Sequence, residues 1–192
     1  MGMIDPTIMA QIRRDGLLHE GHFSFRSGRH TGALLDRDRL LADPGFASHM
    51  GYVIAKRFFT EKIETVASPS IWGAGLAQWV GYFLDPRAKI VYSTPRNGEP
   101  TIAAELENLV HDRRVLLIDN LIVSGDTMTR FIENMEHRGA TVVGLATLWN
   151  VADAEIAGHP AFGLLNSVYE AYPAVDCPYC QNGAPAASEV SY

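Results

Sequence analysis

The sequence predicts an α/β domain, a parallel sheet flanked by helices. Short apolar runs alternate with longer stretches whose apolar residues recur at helical spacing, a pattern typical of parallel α/β folds. One run, Val115–Asp119, is apolar for four residues and then acidic, as expected of a strand buried on both faces. A chain of 192 residues also has the length of one such domain.

The first part of the chain predicts a helix over Met3–Arg14 and extended or looped chain over Gly21–Leu35. Asp43 and Pro44 predict the start of the next helix, because aspartate caps a helix and proline suits its first turn. We expect this helix to reach about Phe59. Its apolar inner face consists of Phe46, Met50, Val53, Ile54 and Phe58.

Strands and helices then alternate. Strands are predicted over Ile63–Ala67, Lys89–Tyr92, Val115–Asp119 and Thr141–Trp149. Helices are predicted over Gly73–Leu84 and Asp126–Arg138, the second ended by Gly139. Ligands of parallel sheets bind at the carboxyl ends of the strands, so the site is expected in the segments that follow these strands.

The composition argues against several classes of protein. A net charge of -6 disfavours general nucleic-acid binding, which needs a basic face. No apolar run approaches the roughly 20 residues that span a bilayer, and Met1–Gln11 lacks the features of a signal peptide. Two cysteines do not make a secreted disulfide framework. We therefore expect a cytoplasmic protein without membrane contact, with a single domain over residues 1–182 and a flexible tail over residues 183–192.

The segment after the third predicted strand has the properties of a phosphate site. Ser124, Gly125 and Thr127 are small, so backbone N–H groups can approach an anion at the start of the following helix. The two hydroxyls can donate hydrogen bonds, and Asp119 can accept them from sugar hydroxyls. The alternative is an ordinary turn in which Asp126 or Thr127 caps the helix.

The run Val-Leu-Leu-Ile-Asp-Asn-Leu-Ile-Val-Ser-Gly-Asp-Thr, residues 115–127, resembles the signature of the type I phosphoribosyltransferases. The resemblance implies phosphoribosyl pyrophosphate (PRPP) as substrate, with Asp119 and Asn120 as catalytic residues at its ribose. It places Val123–Thr127 around the 5′-phosphate, with Asp126 contributing only its backbone. It also implies Mg²⁺, for which Asp119 is the candidate ligand, and a homodimer. Asn120 stands where the family has a second acid.

Other segments resemble the orotate branch of this family. The run Arg26-Ser27-Gly28-Arg29 resembles part of its substrate pocket, within an N-terminal hood that would cover residues 1–40. The segment Ser68–Ala77 resembles its pyrophosphate loop and the helix that follows. The resemblance implies that pyrophosphate or base is bound by Arg26, Arg29, Ser70, Trp72 and Gly73. It further implies that Arg96, in the segment matching the catalytic loop, neutralises the leaving pyrophosphate.

The sequence also departs from an orotate enzyme. Arg96 is the only cation in the loop over Ser93–Thr101, where the family carries lysines. Asn150 and Val151 occupy the positions of an Asp-Arg pair whose arginine anchors the orotate carboxylate in that family. Because a buried carboxylate demands a cation, we expect phosphoribosyl transfer to a nitrogen base other than orotate. The alternative is a non-catalytic regulatory homologue that binds PRPP or a nucleotide.

The run Cys177-Pro178-Tyr179-Cys180 has the spacing of redox and metal motifs. No strand is predicted before it and no helix after it, so the context of a redox motif is missing. A zinc site needs four ligands, and His159 is the nearest further candidate along the chain. We therefore expect a structural role for the two cysteines ahead of metal binding, and metal binding ahead of redox catalysis.

Overall fold

The structure, a computed structural model, describes residues 6–94, 98–167 and 169–190. Its helices in chain order are α1 (Pro6–Arg14), α2 (Arg37–Ala42), α3 (Pro44–Phe58), α4 (Ile71–Leu84), α5 (Asp126–His137) and α6 (Pro178–Gln181). Its strands are β1 (Leu18–Phe25), β2 (Arg29–Leu35), β3 (Thr65–Ser68), β4 (Lys89–Tyr92), β5 (Arg114–Ile122), β6 (Thr141–Asn150), β7 (Glu155–Ile156), β8 (His159–Gly163), β9 (Ala171–Pro173) and β10 (Ser188–Val190). Short 3₁₀ turns cover Phe59–Glu61, Ala104–Leu109, Leu164–Ser167 and Ala174–Asp176.

The larger sheet has six strands in the order β4-β3-β5-β6-β8-β7. All neighbours pair in parallel except β7, which runs antiparallel to β8. Parallel neighbours need crossover connections, and α4 and α5 lie in the connections from β3 to β4 and from β5 to β6. The predicted fold class, a parallel sheet flanked by helices, is confirmed.

Helices cover both faces of this sheet. On one face α4 packs against β3 and β5, α3 packs on α4, and Ile54, Leu76 and Leu116 are fully buried. On the other face α5 covers the sheet and buries Phe131 and Met135. Burying one such side chain stabilises the fold by about 1.5–3 kcal/mol relative to leaving it exposed. The two apolar faces of β5 therefore require the two helical layers.

Most predicted elements are present, with altered ends. Helix α3 begins at Pro44, and the carboxylate of Asp43 accepts hydrogen bonds from two backbone N–H groups at 2.8 and 3.1 Å. Strand β4 has the predicted bounds. Strand β5 extends beyond the prediction, through Asp119 to Ile122, because pairing with β6 continues along its length. Helix α1 begins at Pro6, and the preceding part of its prediction lies outside the described residues.

A second sheet has the order β10-β1-β2-β9. The extended chain expected over Gly21–Leu35 lies mostly in an antiparallel hairpin of β1 and β2. A flexible tail was expected over residues 183–192, but within it Ser188–Val190 pairs in parallel with Phe23–Phe25. The backbone groups along that edge of β1 would otherwise be unpaired, so the tail satisfies them.

Within the described part of the chain, no helix combines the length and the apolar character needed to cross a bilayer.

Candidate functional site

A cleft of about 310 Å³ opens where β3 and β5 end. The chain leaves β3 toward β4 on one side and leaves β5 toward β6 on the other, so its winding reverses between these two strands. Such a switch point is where open α/β sheets bind ligands. The cleft is lined by Arg37, Ser70, Trp72, Asp119, Asn120, Leu121, Ile122, Val123, Ser124, Gly125, Thr127 and Met128.

Asp119 is the acidic group of this cleft. Its Oδ1 accepts a hydrogen bond of 2.8 Å from the backbone N–H of Asn120. Burial raises the pKa of Asp119 to about 6, although that N–H group and the charge of Arg37 both act to lower it. The carboxylate is therefore ionised near neutral pH, and it can accept hydrogen bonds from a sugar or coordinate a cation. Asn120 beside it is buried.

Arg37 is a lining residue that the sequence did not reveal. It is the first residue of α2, which follows the β1–β2 hairpin directly. Its charge is near enough to Asp119 to lower the pKa of that carboxyl group. Arg37 also lies beside Asp38, with Nε 3.6 Å from Oδ1. Arg37 reaches the cleft because the fold brings α2 to the end of β5. In the sequence, the only feature that could have indicated Arg37 is the charged run Asp36–Arg39.

The turn from Ser124 to Thr127 leads into α5, and the N-cap residue of this helix has no side chain to cap it. Gly125 is the N-cap residue and has a φ of +89°, in the left-handed region that glycine adopts without strain. The alternative in which Asp126 or Thr127 caps α5 is therefore wrong. The first backbone N–H groups of a helix lack intrahelical partners and carry partial positive charge. This turn can bind a phosphate group.

Ser124 has an additional role in the same turn. Its hydroxyl donates a hydrogen bond of 2.9 Å to the carboxylate of Asp126, and its Oγ lies 3.3 Å from the backbone nitrogen of Asp126. The pair holds the shape of the turn. A bound phosphate would compete with Asp126 for the Ser124 hydroxyl.

The start of α4 lies directly against Asp119. A Cβ atom added at Gly73 would lie 2.4 Å from Ser68 Oγ and 3.1 Å from both Asp119 Cα and Asp119 Oδ1. Only glycine fits this contact between the helix and strand β5. Ser70 and Trp72 line the cleft next to it, and Trp72 is 70% exposed, so its indole is available to a ligand.

Two of the cations predicted for the site, Arg26 and Arg29, are not among the described residues that line the cleft. Arg26 is exposed in the hairpin turn and is not among the residues that line the cleft. The guanidinium of Arg29 forms an ion pair with Asp153, and its Nη1 donates to the carbonyl of Ala171 at 3.3 Å. Arg29 thus joins the hairpin to the segment after β6. Arg96 lies outside the described residues.

Asn150 and Val151 have structural roles. The Asn150 side chain donates to the carbonyl of Asp153 at 2.8 Å and accepts from the backbone N–H of Ala152 at 3.0 Å. Val151 is fully buried. Both polar atoms of Asn150 are thus used in shaping the chain after β6, and neither residue offers a charge to a ligand.

A cleft of similar volume, about 330 Å³, lies near the amino ends of β3 and β4. Four of its charged residues form two ion pairs, with distances of 2.7 Å between Arg113 and Glu64 and 2.9 Å between Arg87 and Asp85. Hydrogen bonds from the Arg114 backbone and the Arg113 side chain lower the pKa of Glu64. Parallel α/β sheets bind ligands at the carboxyl ends of their strands, so the cleft around Asp119 is the candidate site.

A parallel α/β domain with an acid, a glycine turn and an open helix N-terminus at its switch point defines a class of proteins that bind sugar phosphates or nucleotides. Comparison with known families narrows this class. Residues 36–162 match the family model described as phosphoribosyl transferase domain, and the chain belongs to this family. The resemblance seen in the signature run is thereby confirmed.

Several relatives are named orotate phosphoribosyltransferase, and two of them show how far the similarity extends. The one from Thermus thermophilus is 30% identical over 179 residues, which cover 93% of this chain and 97% of the relative. The one from Thermotoga maritima is 26% identical over 176 residues, with coverage of 91% and 92%. The similarity therefore extends over nearly the whole length of both proteins.

Solved structures show the same fold. The UMP synthase of Leishmania donovani superposes with a TM-score of 0.63 at 21% identity, covering 84% of this chain and 36% of that chain. An orotate phosphoribosyltransferase of Mycobacterium tuberculosis, solved with inorganic phosphate, superposes with a TM-score of 0.59 at 19% identity, covering 83% and 95%.

Proposed function

We propose that the chain is a cytoplasmic enzyme that transfers a phosphoribosyl group from PRPP to a nitrogen base in the cleft around Asp119. One observation carries the proposal. The cleft gathers, at the switch point of the sheet, the carboxylate of Asp119, the start of α5 with glycine as its N-cap residue, and the glycine-bearing start of α4. In that order, these groups are suited to bind a ribose, a phosphate and a pyrophosphate that approaches the backbone closely.

The chemistry needs positioning and charge stabilisation more than a covalent nucleophile. Asp119 and Asn120 hold the ribose hydroxyls, and the turn Val123–Thr127 holds the 5′-phosphate. Ser70 and Gly73 lie at the pyrophosphate. The base nitrogen forms its bond to the anomeric carbon as the bond from that carbon to the pyrophosphate oxygen breaks. The pyrophosphate leaves with the bonding electrons, and the proton lost by the base nitrogen passes to the pyrophosphate or to water.

Mg²⁺ fits the same cleft. Magnesium usually binds through one or two carboxylates together with substrate phosphates, and Asp119 supplies one carboxylate. When bound, the ion would neutralise charge on the pyrophosphate. Arg37, whose charge already acts on Asp119, contributes positive charge to the same cleft.

The proposed base is not orotate. Asn150 has both side-chain polar atoms in hydrogen bonds to backbone, and Val151 is buried, so neither position supplies the cation that a carboxylate base requires. Arg29, the half-buried cation of the hairpin, is paired with Asp153. A base without a carboxylate therefore suits this chain better.

Calorimetric titration with PRPP and Mg²⁺ tests the phosphate site. We expect Thr127→Ala to weaken PRPP binding about 10-fold to 100-fold, because a hydrogen bond to a charged group contributes about 1.5–3 kcal/mol. Thr129→Ala is the matched control, since Thr129 lies on the same helix and outside the cleft lining, and it should keep wild-type affinity. Equal affinity in all three proteins would rule out this turn as the phosphate site.

The alternative is a non-catalytic protein that binds PRPP or a nucleotide. Asn120 in place of a second acid favours it, because an amide lacks the charge that stabilises a cationic ribose. A screen for pyrophosphate release with PRPP and a panel of purine and pyrimidine bases separates the two functions. PRPP binding without turnover on any base would support the alternative.

The same proposal includes a homodimer. Tyr52 and Tyr82, 49% and 59% exposed, lie on α3 and α4 in an aromatic group that also contains Trp79 and Phe83. Exposed aromatic patches of this kind mark interaction surfaces. We expect Tyr82→Lys to convert a dimer into a monomer in light scattering. Val175→Lys, at a residue that is 82% exposed and distant in sequence, should leave the mass unchanged.

A further inference from the structure

Four side chains from opposite ends of the chain meet outside the cleft. His22 lies on β1, His30 on β2, Cys177 just before α6 and Cys180 within it. Each offers one potential ligand atom, and these four atoms all lie within 4.8 Å of one another. They are two imidazole nitrogens and two sulfurs, a ligand set typical of structural zinc.

Four of the six separations between these atoms are close to the edges of a tetrahedral zinc site. His22 Nε2 lies 3.0 Å from His30 Nδ1, 3.5 Å from Cys177 Sγ and 3.6 Å from Cys180 Sγ, and His30 Nδ1 lies 3.3 Å from Cys180 Sγ. Zinc bonds of about 2.0–2.1 Å to nitrogen and about 2.3 Å to sulfur imply tetrahedral edges of about 3.3 Å between nitrogens and about 3.6 Å between nitrogen and sulfur. These four separations agree with those edges to within about 0.3 Å, and the two that involve Cys177 with His30 and with Cys180 are at most 4.8 Å.

The ring of His22 is oriented as a metal ligand. Its Nδ1 lies 2.8 Å from the carbonyl oxygen of Pro185, and a carbonyl only accepts, so Nδ1 carries the proton and donates it. In the neutral ring the lone pair is then on Nε2, the atom that faces the other three ligands. Metal-binding histidines commonly hold their outer N–H group in this way. The ring of Tyr179 stacks on His22 with centroids 5.6 Å apart.

Gly32 makes room for the cysteine motif on the hairpin. A Cβ atom added at Gly32 would lie 1.8 Å from Tyr179 Oη, so the Tyr179 side chain occupies the space that the glycine leaves open on β2. Cys177 is buried by this docking and Cys180 stays exposed. The C-terminal motif therefore contacts the hairpin through Tyr179 and Gly32 as well as through the four ligand side chains.

The geometry differs from the expectations drawn from the sequence. His159, the nearest further candidate along the chain, instead lies 3.0 Å from Glu136. A helix does follow Cys177, but it has only four residues.

We propose that His22, His30, Cys177 and Cys180 bind one Zn²⁺ ion in a closed, structural site. Sulfur and imidazole ligands in tetrahedral arrangement select zinc over magnesium or calcium. With four protein ligands, no coordination position is left for substrate. The ion cross-links the C-terminal segment to the β1–β2 hairpin. This site is separate from the Asp119 cleft and does not depend on the proposed transferase activity.

Zinc content of the full chain, produced without a histidine tag and dialysed, is the first measurement. We expect one zinc per chain in the wild type and a loss of most of it in Cys180→Ser and His30→Ala. His159→Ala is the matched control and should retain one zinc, because its side chain lies against Glu136. Chelation of the wild type should lower its melting temperature.

Cobalt substitution provides a readout that needs no variant. Titration of the metal-free wild type with Co²⁺ should saturate at one equivalent, with the visible bands of tetrahedral cobalt and a sulfur-to-cobalt charge-transfer band. If the metal-free chain is folded by circular dichroism yet binds neither Zn²⁺ nor Co²⁺, the proposal is overturned. Full zinc retention by folded Cys180→Ser would overturn it as well.

Discussion

Asp119→Asn is expected to reduce phosphoribosyl transfer by at least about 100-fold while making the protein more stable at pH 8. Loss of one preorganised charged group at a reacting centre commonly lowers kcat by about 100-fold to 1000-fold. Asparagine keeps the oxygen that accepts the 2.8 Å hydrogen bond from the Asn120 backbone, so the local structure is preserved. What the substitution removes is the charge.

The gain in stability follows from the pKa of Asp119. Burial raises this pKa from an ordinary 3.8 to about 6, so the folded state binds the proton more tightly than the unfolded state. The free energy of unfolding contributed by this group therefore falls as pH rises from about 4 to about 6, and stays low above that range. A pKa shift of this size sets an upper limit of about 3 kcal/mol on the stability gained by Asp119→Asn. Because Asp119 is partly exposed, we expect a gain of about 1–2 kcal/mol.

Urea unfolding of wild type and Asp119→Asn at pH 4 and pH 8 measures this effect. The variant should be the more stable protein at pH 8, and the difference should vanish near pH 4. Asp126→Asn is the control, because Asp126 is exposed and should show no such pH-dependent gain. A variant that is less stable than wild type at pH 8 would contradict the account of a buried charge.

Gly73→Ala is expected to destabilise the protein by about 1–3 kcal/mol and to lower activity, because the added methyl group has no space. Its Cβ would lie 2.4 Å from Ser68 Oγ and 3.1 Å from the backbone of Asp119. Helix α4 would then move away from the end of β5, which carries the proposed catalytic carboxylate. Gly75→Ala is the matched control on the same helix, since a Cβ there meets nothing within 4 Å.

A double variant identifies the colliding atom. Ser68→Ala removes the Oγ atom, so Gly73→Ala should cost less stability in that background than in the wild type, a coupling of about 1 kcal/mol. Thermal unfolding of the four proteins gives the coupling energy. Gly75→Ala should be neutral or slightly stabilising, because alanine is the better helix former. Equal destabilisation by the two glycine substitutions would mean that the contact with Ser68 and Asp119 is not the cause.

The fold class could be predicted because its signals are local. A buried parallel strand requires a continuous apolar run, and an amphipathic helix requires apolar residues at helical spacing, so each is visible in a few neighbouring residues. The cap at Asp43 is equally local, and α3 begins where that residue predicts. The end of β5 could not be predicted, since pairing with β6 carries the strand past the acid that resembles a terminus.

The candidate site likewise has one part that the sequence could predict and another part that it could not. The turn from Ser124 to Thr127 and Asp119 before it are close in sequence, so a single run of residues determines their proximity. The approach of Arg37 to Asp119 and the pairing of Arg29 with Asp153 depend on how separate elements pack. No spacing rule connects such residues, and their charges alone do not indicate which partner each will have.

By itself, the sequence determined a parallel α/β domain and the contiguous turn from Ser124 to Thr127 that precedes α5, because both depend on interactions between near neighbours in the chain. The tertiary structure decided which distant side chains meet. It brought His22 and His30 to Cys177 and Cys180, and it paired the C-terminal strand β10 with β1. The physical reason is that the docking of one element on another follows from the shape and burial of whole surfaces, which only the folded chain defines.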